Sequence, residues 1–175
     1  MKTPPLLPEE TLHRVLRVAN INGLSVLAVA GMITLAVAST GDYVGAAIGL
    51  SIAASGAIEL HGAGLLRGGD SRGMRWLIVS QPYLLAVVLI YCGLRLMNYD
   101  PTVFDAAMTD DLRLALEQAG YEKERFFRMV YVGTYVILAL ATFIYQGLMT
   151  AYYARRREAV ERALDEEEEE NPRFN

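Results

Sequence analysis

VANINGLSVLAVAGMITLAVASTG, residues 18–41, decides the fold. It contains no Asp, Glu, Lys or Arg, and an α-helix of about 20 residues is enough to cross a bilayer core of about 30 Å. Residues 43–66, 76–94 and 129–154 repeat the pattern, with Glu59 the only Asp, Glu, Lys or Arg in any of them. Lipid offers no hydrogen bonds to a bare backbone, so such stretches span as helices that satisfy themselves internally. A soluble core helix explains any one stretch alone. Four of them in 175 residues leave too little polar chain to coat such a core. The expected fold is all-α, a polytopic four-transmembrane-helix bundle.

The flanks fill in the plan. Residues 1–17 read as an N-terminal cytoplasmic arm and interfacial helix. Residues 18–154 form the bundle, with spans near 18–41, 43–66, 76–97 and 128–154 and an outer loop near 98–125, and residues 155–175 are a charged cytoplasmic tail. Pro8, Glu9 and Glu10 suit a helix's first turn. Leu12, Val15, Leu16 and Ala19 then predict a helix running along the inner interface before or into the first span. Within the loop, Asp100-Pro101-Thr102 starts one short helix, and Thr109 caps a second over 110–119 that stops at Gly120. The last span is expected to continue as a charged helix through Arg162, with Arg157–Glu161 and Glu158–Arg162 pairs. The six acids at 165–170 and residues 171–175 read as a solvated tail.

Cations set the orientation. Lys2, Arg14 and Arg17 precede the first span, Arg67, Arg72 and Arg75 lie between the second and third, and Arg155, Arg156 and Arg157 follow the fourth. The positive-inside bias therefore puts both termini and loop 67–75 in the cytoplasm, in an inner (plasma) membrane. Arg125 and Arg128, at the outer mouth of the fourth span, run against it. The first stretch is too long, and too closely preceded by acids, for a cleaved signal peptide. Gly68 or Gly69 is expected to close the second helix in a left-handed conformation.

Intramembrane polar residues gather at one depth. At 1.5 Å per residue, Glu59 lies about 10 Å from the inner end of its span, with His61 slightly shallower. Ser80 and Gln81 on the third span share that layer. Asn20, Asn22 and Ser25 on the first and Tyr145 and Gln146 on the fourth do so too. An acid at membrane depth is costly unless neutralised, hydrated or paired, which makes Glu59 a functional candidate. Asn22, Ser80 and Gln81 are its expected partners, because His61 falls on nearly the opposite helix face. Pro82 removes a backbone donor beside them, a feature that bends helices and can open hydrated space. The bland alternative is that these groups only bond one another and lock the bundle. Gly45, Gly49, Ala53 and Ala57 recur every four residues as a small-residue ridge, for packing within the bundle or between subunits. At the other face, Asp42, Tyr43, Arg95, Asn98, Tyr99, Arg128 and Tyr131 suit headgroup anchoring.

Several chemistries fall away. No span contains a lysine for a retinal Schiff base. His13 and His61 cannot supply the paired axial ligands of a membrane cytochrome, and Cys92 with one buried histidine makes no closed zinc site. No hydrolase, zinc-protease or potassium-filter motif occurs. No enzyme activity, metal, cofactor or nucleic-acid partner is therefore expected. The partners expected are the lipid bilayer, further copies of this chain, and a cytoplasmic protein drawn to the acidic tail. The leading functional expectation is a homo-oligomer moving an ion, proton or small polar solute. Glu59 would bind it, Asn22, Ser80 and Gln81 would supply dipoles, and His61 would relay at the mouth. The alternative is a non-transporting scaffold or regulatory subunit that recruits its partner through the tail.

Overall fold

The computed structural model describes residues 7–99, 109, 111, 114, 116, 118 and 122–170, the side chains of 167–170 excepted. Its long helices are α1 (Pro8–Ser39), α2 (Tyr43–Arg67), α3 (Gly73–Met97) and α4 (Lys123–Glu170). All four are long and apolar enough to cross a membrane. At most 33% of the residues in each most apolar window are buried. In a water-soluble bundle those windows would form the core. Outward-facing Leu35, Val44, Leu50, Ile137 and Leu148 are instead what lipid would cover.

Local chemistry sets the helix ends. Pro8 occupies the first turn of α1 with Glu9 and Glu10 behind it, where a missing N–H costs nothing and acids meet the positive end of the helix dipole. Gly41, at φ +80°, turns the chain after α1. Asp42 then caps α2 by accepting from the Gly45 N–H at 2.8 Å. Gly69 takes the left-handed conformation at φ +81°. Its N–H donates to Leu66 O and that of Asp70 to Leu65 O, the paired bonds that satisfy a helix's last carbonyls. The exposed Arg72 guanidinium beside Asp70 holds that carboxyl below the usual aspartate range. α3 passes through Pro82 without a break.

Residues 8–17 are continuous with the first span. A 32-residue α1 is about 48 Å long, more than a bilayer core requires. In its first turns Leu12, Val15 and Ala19 are buried in the protein core. α4, with 48 residues, reaches about 72 Å and runs past Arg162 to Glu170. Leu164 and Ala163 pack into the core there, and glutamates are good helix formers. Arg157 Nε pairs with Glu161 at 2.8 Å, whereas Arg162 Nε turns to the Glu158 backbone carbonyl at 3.3 Å. In the loop, Asp111, Leu114, Leu116 and Gln118 are helical. The other expected loop helix and residues 171–175 lie outside the described residues.

The chain divides into two units. The first comprises Met1–Val87 and Ile144–Asn175, in which parts of all four helices share one core. Leu12, Val15 and Ala19 of α1 meet Ala63 and Leu66 of α2, Met74 and Leu77 of α3, and Tyr153, Val160, Ala163 and Leu164 of α4. Two glycine contacts let the backbones approach. A Cβ on Gly56 would lie 2.6 Å from Gly23 O, and one on Gly62 would lie 3.0 Å from Gly73 O. Gly49 and Ala53 of the expected ridge are buried, and Gly45 is half-buried against Val37 and Asp42. Ala57 is exposed. Four residues rotate a helix by about 400°, so each step drifts by roughly 40° and Ala57 leaves the face that Gly45 begins. Gly56, about 20° from Gly45, takes its place.

The second unit is Val88–Phe143. Tyr131 OH donates to Arg95 O at 2.9 Å. Rings pack edge to face or tilted from Tyr99 to Tyr131, Tyr131 to Tyr135 and Tyr135 to Tyr91, and Arg95 lies over Tyr91. Buried Cys92 is a free thiol.

Candidate functional site

Glu59 lies one turn beyond Gly56 on α2, so the glycine contact with α1 determines what it meets. Asn22 precedes Gly23 in the chain and faces Glu59 across that contact. Its Nδ2 donates to Glu59 Oε2 at 2.7 Å. From α4, the Tyr153 hydroxyl donates to Glu59 Oε1 at 2.5 Å, and the Tyr145 hydroxyl donates to Asn22 Oδ1 at 2.8 Å. Glu59 is 2% exposed and Tyr153 fully buried, whereas Tyr145 is 49% exposed. One hydrogen-bonded chain therefore links a buried acid to the outside of the bundle.

α3 contributes more buried polar groups. Gln81 is a further neighbour of the Glu59 carboxyl. Its Nε2 donates to Ser80 Oγ at 3.0 Å, and its buried Oε1 has no partner among the described residues. Ser80 does not reach Glu59, because its hydroxyl donates to Leu77 O at 2.9 Å. Such a back-bond is the nearest acceptor a helical serine finds. Gln146 is buried with its Oε1 likewise unpartnered.

The remaining candidates lie apart. Asn20 Nδ2 is taken up by Leu16 O at 2.5 Å, and Ser25 is exposed. His61 is exposed and packs edge-on against Trp76, with ring centroids 5.5 Å apart. Depth assigns a residue to a layer, but the position around the helix decides contact. Tyr153 escaped the sequence reading because a tyrosine near the end of a span is ordinarily an interfacial anchor. Its signal was the two-turn spacing from Gln146, which puts both on one face of α4.

Every bond to Glu59 comes from a neutral donor. Among the described residues no Lys, Arg or His forms an ion pair with it, and no group of three His, Cys, Asp or Glu could hold a metal. A carboxylate held by neutral dipoles can take up a proton or a small cation without first displacing a cationic partner. No family model, curated protein or solved structure matches this chain.

Proposed function

We propose that this chain is a small multi-pass protein of the inner membrane that binds a proton or small cation at Glu59 and moves it across the bilayer as a homo-oligomer. The observation that carries the reading is a fully buried carboxyl in a membrane-length helix whose partners are all neutral. A negative charge at such depth draws a proton or cation, because leaving it uncompensated costs several kcal/mol. Gln81, a neighbour of Glu59 whose Oε1 has no partner among the described residues, supports the reading, since amide oxygens suit a hard cation. The half-exposed Tyr145 supports a pathway between subunits, because it connects Asn22 to the outside of the bundle. Both termini and loop 67–75 face the cytoplasm in this reading, as the cation asymmetry favours.

The experiment is flux in liposomes with Glu59→Gln, with melting temperature measured on the same preparations between pH 5 and 8. The substitution keeps the shape and removes the charge, so flux falls while the protein still assembles. Unchanged flux in the variant, or none in the wild type for any common ion, refutes the proposal. A second reading is a non-transporting scaffold that presents its acids to a basic partner. It draws support from α4 remaining helical through Glu170, so that the acidic run lies on a helix.

A further inference from the structure

Arg125 and Arg128 remain unexplained by the charge asymmetry that orients the helices. They stand in the first turns of α4, both exposed, and neither is ion-paired among the described residues. Beside them, an open surface groove of about 500 Å³ is lined by Arg125, Arg128, Met129, Val132, Gly133 and Val136. The lining residues follow helical spacing along one side of α4, while Phe127 and Tyr131 are buried on the other. A Cβ on Gly133 would meet nothing within 4 Å, so the missing side chain is space rather than close packing.

We infer that this groove binds one anionic phospholipid, with the phosphate between Arg125 and Arg128 and an acyl chain along Met129, Val132, Gly133 and Val136. Two guanidiniums one turn apart can share the oxygens of a phosphate through charge-assisted bonds. The positive end of the α4 dipole adds to the attraction. The lining beneath them is apolar and lies along a membrane-length helix, so an acyl chain can follow it without desolvating any polar group. An anion without a tail would leave the apolar part of the groove unfilled. The inference does not depend on the transport reading.

The test uses the full-length protein in neutral detergent. It is titrated with phosphatidylglycerol, with phosphatidylcholine of the same acyl chains, and with glycerol phosphate, and followed by melting temperature and by native mass spectrometry for retained lipid. Phosphatidylglycerol should raise the melting temperature and stay bound, with phosphatidylcholine much weaker. Arg125→Gln with Arg128→Gln should weaken phosphatidylglycerol binding at least about tenfold, as expected for two lost charge-assisted bonds. Gly133→Leu fills the groove without meeting protein at its Cβ, so it should lose the lipid yet melt at or above the wild-type temperature in detergent alone. Wild-type retention of phosphatidylglycerol by both variants overturns the inference, as does equal binding of the two lipids. A glycerol phosphate shift as large as that of phosphatidylglycerol would show that the arginines hold a free phosphate and that the groove holds no chain.

Discussion

Gly56→Ala should cost this protein stability although alanine is the better helix former. The added Cβ would lie 2.6 Å from Gly23 O and 2.8 Å from the Leu27 amide nitrogen, where ordinary contact begins at 3.4 Å. Both neighbours are backbone atoms, so no rotamer change relieves the overlap. α1 and α2 must separate by about 0.8 Å along that contact, and such overpacking costs about 1–3 kcal/mol. The same shift would stretch the 2.7 Å Asn22–Glu59 bond beyond hydrogen-bonding range, for about 1 kcal/mol more. Against this, replacing a mid-helix glycine by alanine gains about 1 kcal/mol. The net expectation is a loss of about 1–3 kcal/mol.

Gly64→Ala is the internal control. It lies on the same helix, and a Cβ there meets nothing within 4 Å. It should keep the propensity gain and stabilise by about 0.5–1 kcal/mol. Thermal unfolding of both variants in one detergent reads the difference directly. If Gly56→Ala melts at or above Gly64→Ala, the close approach of α1 and α2 is wrong, and so is its role in bringing Asn22 to Glu59.

Three other outcomes follow from the same geometry. Tyr153→Phe removes the donor on Glu59 Oε1 and should destabilise by about 1–3 kcal/mol in thermal melts, whereas Tyr145→Phe, at a half-exposed position, should cost less. Asp70 should titrate below the usual aspartate range by NMR, and Arg72→Ala should bring it back up; its small contribution is complete above the ordinary aspartate pKa and disappears as pH falls through the lowered one. A cysteine replacing Ser71 in a Cys92→Ala background should label only from the cytoplasmic side, and labelling only from the outside would reverse the proposed orientation.

The four spans were legible because lipid imposes one simple requirement, a long run without charge, and the sequence displays it four times. Position along each helix was also legible, since each helical residue advances a fixed distance. Position around the helix was harder. A four-residue repeat suggests one straight ridge, yet a helix returns to the same face every 3.6 residues, and contact passed from Ala57 to Gly56. Gly23 and Gly73 belong to no four-residue ridge, and only their partners Gly56 and Gly62 reveal why a side chain is excluded. The same limit hid Tyr153, whose contact with Glu59 joins residues 94 positions apart.

Where the core lies bears directly on how Glu59 can work. The buried apolar cluster draws on the beginnings of α1 and α3, the end of α2 and the later part of α4. Those are the ends of the helices that carry most of the cations. In the proposed orientation those ends lie at the cytoplasmic interface, where water drives burial. Further along α1 and α2, Met32, Ile33, Leu35 and Leu50 stay exposed, because lipid gives no hydrophobic reason to bury them. Glu59 lies between the two regimes, about 12 Å along the helix from Arg67. Toward the cationic end lies a buried layer that includes Leu66, Met74 and Tyr153. The Tyr153 hydroxyl is both part of that layer and the donor to Glu59 Oε1. Rotation of that side chain would uncover the carboxyl and free one of its oxygens in a single movement. Exchange at Glu59 from the cationic end should therefore be limited by Tyr153, and Tyr153→Phe should accelerate proton uptake from that end even as it lowers stability. A slower uptake in that variant would show that the hydroxyl relays protons instead of blocking them.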